Sequence, residues 1–322
     1  MGDETGATRP LVAGTVRWDG ASAIVGLGTS EVVVDGDTEL LRAILGDCDG
    51  RSTVLELGAR HGPGASRLLA TLLDSGAVVD AEQAWRVLHR QSSAGSALGR
   101  PIGDPELRGL ERSTFAPDRS ADLVVELDPA ATTTGALARR RRSTRAGGPP
   151  APVTFADLSS VLAAAYAVGA ETDPPGLSGT VPSAGALYPL VVHVLLRAPL
   201  PPAEPGLWWH DPRTLRLHRI SGETPDTEAL FVPEPACAAL LAGGQPIVFL
   251  SADLARPSRK YGARGYRYAL IEAGAAMQAA SLAATELSLP LRAIGGIDDG
   301  AVHELLGLPD AAVALLALLV GR

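Results

Sequence analysis

Apolar positions along the chain follow two periods. Between residues 11 and 35 they alternate with polar ones, in "LVAGTVRW" and "SEVVVDG", with glycines at the reversals, which predicts two or three short strands. The period then lengthens to that of a helix. "DTELLRAILGDCDG" opens on Asp37 at an N-cap position and closes in a glycine turn, and "RSTVLELGARHG" repeats the pattern with Ser52 or Thr53 as cap and Gly62 as stop. In "GASRLLATLLDSG", Leu68, Leu69, Leu72 and Leu73 share one helical face, and "AVVD" follows as a strand. Three short helices and a strand over about residues 10–85 predict a small winged-helix-like domain, assigned to residues 1–90.

Residues 91–130 are rich in Ser, Gly, Pro and Arg without a sustained period, which predicts a linker or a surface-draped arm. A second domain, residues 131–322, then begins. Its predicted elements start with a helix at "TFADLSSVLAAAYAVG", capped by a Thr154–Asp157 box, followed by a Gly/Pro-rich loop leading to "PSAGALYP". Strands follow at "LVVHVLLRA", on both sides of the Asp-Pro turn in "GLWWHDPRTLRLHRI", and at "PIVFLSADL". A long helix over about 266–288 carries Ile271, Ala275, Gln278 and Leu282 at helical spacing. Next come a strand at "LRAIGG", a capped helix at "DDGAVHELLGL" and an apolar C-terminal strand. Helices and strands mix without strict βαβ alternation, so the fold class is α+β.

A 322-residue chain that is 46% apolar can bury a sizeable core. Its net charge of −8 argues against nucleic acid or an anionic membrane as partner. No run is long enough for a membrane helix and "MGDETGATRP" does not read as a signal peptide, so a cytoplasmic protein is expected. Cys48 and Cys237 suit a reducing compartment, and the histidines at 61, 89, 193, 210, 218 and 303 show no ligand spacing, so no metal is expected.

Four stretches can carry chemistry. Arg139 to Arg142, followed by Ser143 and Arg145, is either a solvated charged face or an anion site, since guanidinium matches phosphate bidentately. "VPSAGALYP" has Ser183 and Gly185 spaced as in a nucleophile elbow, but Val181 stands where that motif needs glycine. Small residues between prolines suit either a plain turn or a rigid backbone against a flat ligand. In "AIGGIDD", Gly295 and Gly296 offer main-chain amides to a ligand or merely turn into the helix. Lys260, the only lysine in a chain that writes its other basic residues as arginine, precedes Tyr261, and the two can pack or act as a proton-transfer pair.

Taken in order, "RRRRSTR", "PSAGALYP", "RKYGARGYRYALIEAGAAMQAASLAA", "IGGID" and the closing "LLALLVG" resemble the flavin-dependent nitroreductase superfamily over about residues 131–322. More narrowly they resemble its SagB-type branch, the azoline dehydrogenases of thiazole- and oxazole-containing ribosomal peptides. The N-terminal domain is similar to winged-helix peptide-recognition modules fused to enzymes of such pathways. The resemblance implies a mixed sheet flanked by helices, an intertwined homodimer, and FMN at the subunit interface. It assigns Arg141, Arg142, Ser143 and Arg145 to the FMN phosphate and ribityl chain; for the further basic residue that many family members supply beyond the last strand, either Arg322 stands in or the arginine cluster suffices. Pro182, Ser183, Ala184 and Gly185 would approach from the other subunit, and Gly295 and Gly296 would lie near flavin N5. Lys260 and Tyr261 would be catalytic: guanidinium stays charged at working pH, whereas a desolvated lysine can release its proton. The implied reaction is oxidation of thiazoline or oxazoline rings in a precursor peptide, with oxygen reoxidising the flavin and a cyclodehydratase as a possible partner. Two alternatives stand beside it. One is an NAD(P)H-dependent reductase of dehydroamino acids, quinones or nitro compounds; the other is an idle scaffold for a cyclising enzyme.

Overall fold

The computed structural model describes residues 7–26, 31–81, 84, 85, 89, 132–144, 151–171, 177–232, 240, 241 and 243–321. The expected linker at 91–130 and the site residues Arg145 and Arg322 lie outside these. The N-terminal elements are β1 (Pro10–Val12), β2 (Thr15–Asp19), β3 (Ser22–Gly26), β4 (Glu31–Val34), α1 (Thr38–Asp47), α2 (Val54–His61), α3 (Pro63–Asp74) and β5 (Val78–Asp80). Asp37 starts α1 by accepting from the Glu39 and Leu40 amides, and Thr53, of the two cap candidates, forms a capping box with Glu56 at α2. Gly62 ends α2 and Pro63 opens α3, each where its backbone is suited. β1 pairs with β5, β2 to β4 form a meander, and Leu41, Ile44, Leu57, Leu69 and Leu72 close the core.

The larger unit contains α4 (Thr133–Arg140), α5 (Phe155–Ala165), β6 (Val168–Glu171), β7 (Leu177–Gly179), β8 (Leu190–Leu196), β9 (Gly206–Asp211) and β10 (Arg216–Ser221). It continues with β11 (Ile247–Asp253), α6 (Ala255–Tyr261), α7 (Arg264–Glu286), β12 (Leu291–Ile294), α8 (Asp299–Leu306) and β13 (Ala312–Val320). Six strands form one sheet in the order β10-β9-β8-β11-β13-β12. The expectation of a mixed sheet is corrected: every neighbouring pair in it is antiparallel, because no neighbours are joined by the right-handed crossover that parallel strands need. Successive residues of β11 face opposite cores. Val248, Leu250 and Ala252 pack with α5 and α7, while Ile247 and Phe249 pack with α8, so both faces of the sheet are covered. Trp85 belongs to the first of these cores and stacks on Tyr266 of α7 at 6.5 Å between centroids. No helix among the described residues is long and apolar enough to cross a membrane.

Two further features go beyond the sequence reading. On α7 the buried stripe is Ala269, Ala273, Ala276, Ala280 and Ala284, whereas Ile271 and Gln278 are exposed. Small residues let α7 approach α5 closely, so the larger side chains mark the outward face. In addition, α4 forms where no regular element was expected, and β6 begins at Val168, inside the stretch expected to be helical, because the helix stops at Ala165. Thr132 caps α4 by accepting from the Gly135 amide, and Arg139 and Arg140 sit in its last turn, where the helix dipole favours cations.

Candidate active site

Lys260 and Tyr261 do not merely precede the long helix; they end a short one of their own, α6, which leaves β11 and stops at Gly262. Gly265 lets α6 and α7 meet closely: a Cβ there would lie 2.7 Å from the Pro257 carbonyl carbon. Tyr261 is half-buried, with its ring edge-on to Tyr268 at 4.9 Å, and the exposed Lys260 holds Nζ 5.3 Å from the Tyr261 ring centroid.

The "PSAGALYP" loop enters β8, whose first residue, Leu190, pairs with Ala252 near the end of β11, so loop and α6 share one end of the sheet. Their contact is close. A Cβ built at Gly185 would lie 2.5 Å from Tyr261 Oη and 2.6 Å from Lys260 Nζ, so only glycine leaves that corner open. Gly185, Ala186 and Tyr188 adopt φ of +63°, +53° and +44°. Left-handed alanine and tyrosine each cost about 1–3 kcal/mol, and the surroundings must enforce them.

A buried carboxylate, Glu272, lies beside this loop. It is 2% exposed, on the inner face of α7, and accepts at 2.8 Å from Tyr166 Oη. Tyr166 Oη in turn accepts from the Leu190 amide at 3.1 Å. Ser183 accepts from the Tyr188 amide at 2.8 Å, and its hydroxyl acts on the Glu272 carboxyl. Burial pushes the Glu272 carboxyl above its ordinary range, against the opposing effect of the Ser183 and Tyr166 hydroxyls. Burial and the adjacent Glu272 carboxylate raise the Tyr166 phenol. The sequence reading passed over Glu272; its signal was a lone carboxylate inside the small-residue run "ALIEAGAA".

The arginine segment lies elsewhere. The Thr144 amide donates to the Leu291 carbonyl and Arg292 donates back to the Thr144 carbonyl, which sets the segment beside the start of β12. Leu291 pairs with Val320 of β13, whereas Ala252, the neighbour of Leu190, pairs with Val313. Those seven residues of β13 separate the segment from the loop by about 23 Å along the sheet. Arg141 is half-buried and donates to Ser143 Oγ at 3.3 Å; Arg142 is exposed and donates to the Arg139 and Arg141 carbonyls at 2.7 and 2.8 Å. Ser143 is exposed.

Gly295 and Gly296 follow β12 at its far end, toward the loop and α6. Both are exposed; the Gly296 carbonyl accepts from the Val232 amide, and nothing lies within 4 Å of a Cβ built at Gly295. Packing within the chain therefore does not require glycine at 295, whereas a flat ligand lying on the backbone does. Pro182 is exposed, and Ser183 and Ala184 are half-buried. The glycine-floored corner and the open Gly295 suit a flat ring, while the guanidinium segment, at the other end of the sheet, suits an anion.

The profile described as the Nitroreductase family matches residues 138–322. A Methanocaldococcus jannaschii protein named as a nitroreductase, MJ1384, is 36% identical over 172 residues, spanning 53% of this chain and 82% of its own length. Among solved structures, a chain of the E. coli microcin synthetase McbBCD complex with truncated pro-MccB17 bound aligns with a TM-score of 0.52. It is 20% identical and covers 70% of this chain and 84% of that one, a likeness of fold alone. A Ralstonia eutropha protein named as a nitroreductase aligns with a TM-score of 0.47 at 20% identity, covering 62% of this chain and 87% of its own. With more than half of its length matched by the family profile, this chain belongs to the nitroreductase family of flavin-dependent oxidoreductases.

Proposed function

We propose that the protein is an FMN-dependent dehydrogenase that oxidises thiazoline or oxazoline rings of a ribosomally made peptide to thiazoles or oxazoles. The observation that carries this reading is the meeting of Lys260 and Tyr261 over Gly185, an amine and a phenol at a corner left open for a flat ligand. Aromatising an azoline ring requires removal of a proton from the α-carbon beside the ring imine, and a lysine or tyrosine can take or relay it where arginine cannot. Bound FMN supplies the two-electron acceptor for the adjacent carbon's hydride.

Arg141, Arg142, Ser143 and Arg145 would hold the phosphate and ribityl chain, with Arg322 as a further phosphate contact, and Gly295 and Gly296 would present amides to the ring edge. A homodimer is part of the proposal. One chain's arginine segment and Gly185 loop lie at opposite ends of the sheet, so Pro182 to Gly185 of a partner copy would complete each site. Leu270 and Ile271, 44% and 61% exposed on α7, provide apolar surface for that pairing. Cover from flavin, substrate and partner would also desolvate Lys260, which is exposed in the single chain. The fold likeness to a chain of a complex solved with truncated pro-MccB17 bound motivates a peptide substrate. The N-terminal unit, read as a winged-helix peptide-recognition domain, would hold that precursor or a cyclodehydratase partner.

The test is incubation of the flavin-loaded protein in air with an azoline-containing peptide, followed by mass spectrometry. Loss of two hydrogens per ring with oxygen consumption is expected. An unchanged peptide, combined with rapid bleaching of the flavin by NAD(P)H, would overturn the reading in favour of a reductase, which the relatives named as nitroreductases favour.

A further inference from the structure

We infer that Glu272 is a positioning residue: its buried carboxylate fixes the Tyr166 phenol, which holds the Leu190 amide, and faces the Ser183 hydroxyl, which holds the Tyr188 amide, and so keeps Gly185 set against Lys260 and Tyr261. The geometry leaves few alternatives for this carboxylate. It lies on the inner face of α7 among alanines, 2% exposed, where an ionisable side chain is otherwise costly. Ser183 accepts from the Tyr188 amide, so its single proton is available to the carboxylate; Tyr166 accepts from the Leu190 amide and donates its own proton to Oε1. Each hydroxyl thereby couples α7 to one end of the Ser183–Leu190 segment, which contains all three left-handed residues of the loop. Arg256 of α6 acts on this network through Tyr166, whose phenol it lowers slightly against burial and Glu272.

The requirement is for an acceptor, not for volume. In Glu272→Gln the amide nitrogen has to face one hydroxyl and cannot accept its proton, so one of the two couplings fails while the shape is kept. The catalytic side of the inference rests on the reading of Lys260 and Tyr261 as the proton-transfer pair; the structural side does not.

Hydrogen–deuterium exchange of the intact, flavin-loaded protein separates the two. In Glu272→Gln, and more strongly in Glu272→Ala, amides of the 184–190 segment are expected to exchange about tenfold faster or more, as for loss of a hydrogen bond to a charged group, with β11 unchanged. Azoline turnover at equal flavin content should fall roughly 10- to 100-fold, the scale of a small misplacement of reacting groups. Adding Ser183→Ala to Glu272→Gln should lower turnover little further, since both act through one contact. Wild-type exchange in the loop of both variants would overturn the inference, as would faster loop exchange with wild-type turnover. Should the wild type not turn over azolines at all, the proposed function fails, while the exchange comparison still decides whether Glu272 holds the loop.

Discussion

At one end of the six-stranded sheet the Gly185 loop is fixed from beneath by a buried carboxylate, two hydroxyls and two backbone amides. At the other, the described part of the arginine segment is exposed or half-buried, and among the described residues Arg141 and Arg142 donate to Ser143 and to the segment's own carbonyls. The first end is shaped before any ligand arrives, at the cost of strained backbone. The second is a concentration of charge whose final geometry depends on what binds it. That division suits a cofactor whose ring must be placed accurately against a proton-transfer pair and whose phosphate needs chiefly electrostatic anchoring.

The comparison is broken most directly at the corner itself. Lys260→Ala and Tyr261→Phe are expected to lower azoline turnover about 100- to 10,000-fold, the range for a positioned acid or base, with flavin content unchanged. Lys260→Arg should restore little, because guanidinium keeps its proton. Wild-type rates in all three would remove this corner from the chemistry. Gly185→Ala should cost about 100-fold in kcat, since a Cβ at that φ would push Lys260 and Tyr261 aside. The check is kcat measured at saturating FMN.

How much of this was legible before the structure differs between the same two ends. Four arginines in a row announce themselves in any reading of charge, as do the prolines and glycines of the loop. The helix caps at Asp37, Thr53 and Thr154 were legible too, because their bonds close within three residues. Glu272 was not, since Tyr166 and Ser183 lie 106 and 89 positions away and only the packing of α7 on α5 and the loop brings them together. The buried face of α7 was hidden for a related reason. Periodicity of large apolar residues selects Ile271, whereas close helix contact selects the alanines. The antiparallel sheet was equally hidden, since strand spacing says nothing of which strands become neighbours.

The arginine end is sharpened by a smaller effect. Arg141→Ala is expected to weaken FMN binding roughly 10- to 100-fold, as for loss of a charge-assisted hydrogen bond worth about 1.5–3 kcal/mol, with kcat at saturating FMN preserved. Fluorescence titration at two salt concentrations measures it, and the loss should be larger at low salt. A fall in kcat at saturation would mean that the two ends are not separable.

The smallest effect is in stability against pH, where only the loop end titrates. The Glu272 carboxyl is raised above its ordinary 4.5, so between that pH and its folded value the native chain holds more protons than the unfolded one. Its contribution therefore falls as pH rises through that window, by at most about 1.4 kcal/mol per pH unit. His193, held down to about 4 by burial, and His210 and His89, also lowered chiefly by burial, act in the opposite sense: each adds stability as pH rises toward 6.5. In the wild type these slopes oppose one another. Glu272→Gln removes one of them, so its Tm should climb more steeply from pH 4.5 to 6.5 than that of the wild type. Arginine has no titration in this range, so the Arg141→Ala curve should run parallel to wild type. Parallel curves for the wild type and both variants would show that Glu272 titrates alike in the folded and unfolded chain, and the buried carboxylate would then lose its place as the feature that sets the loop end apart.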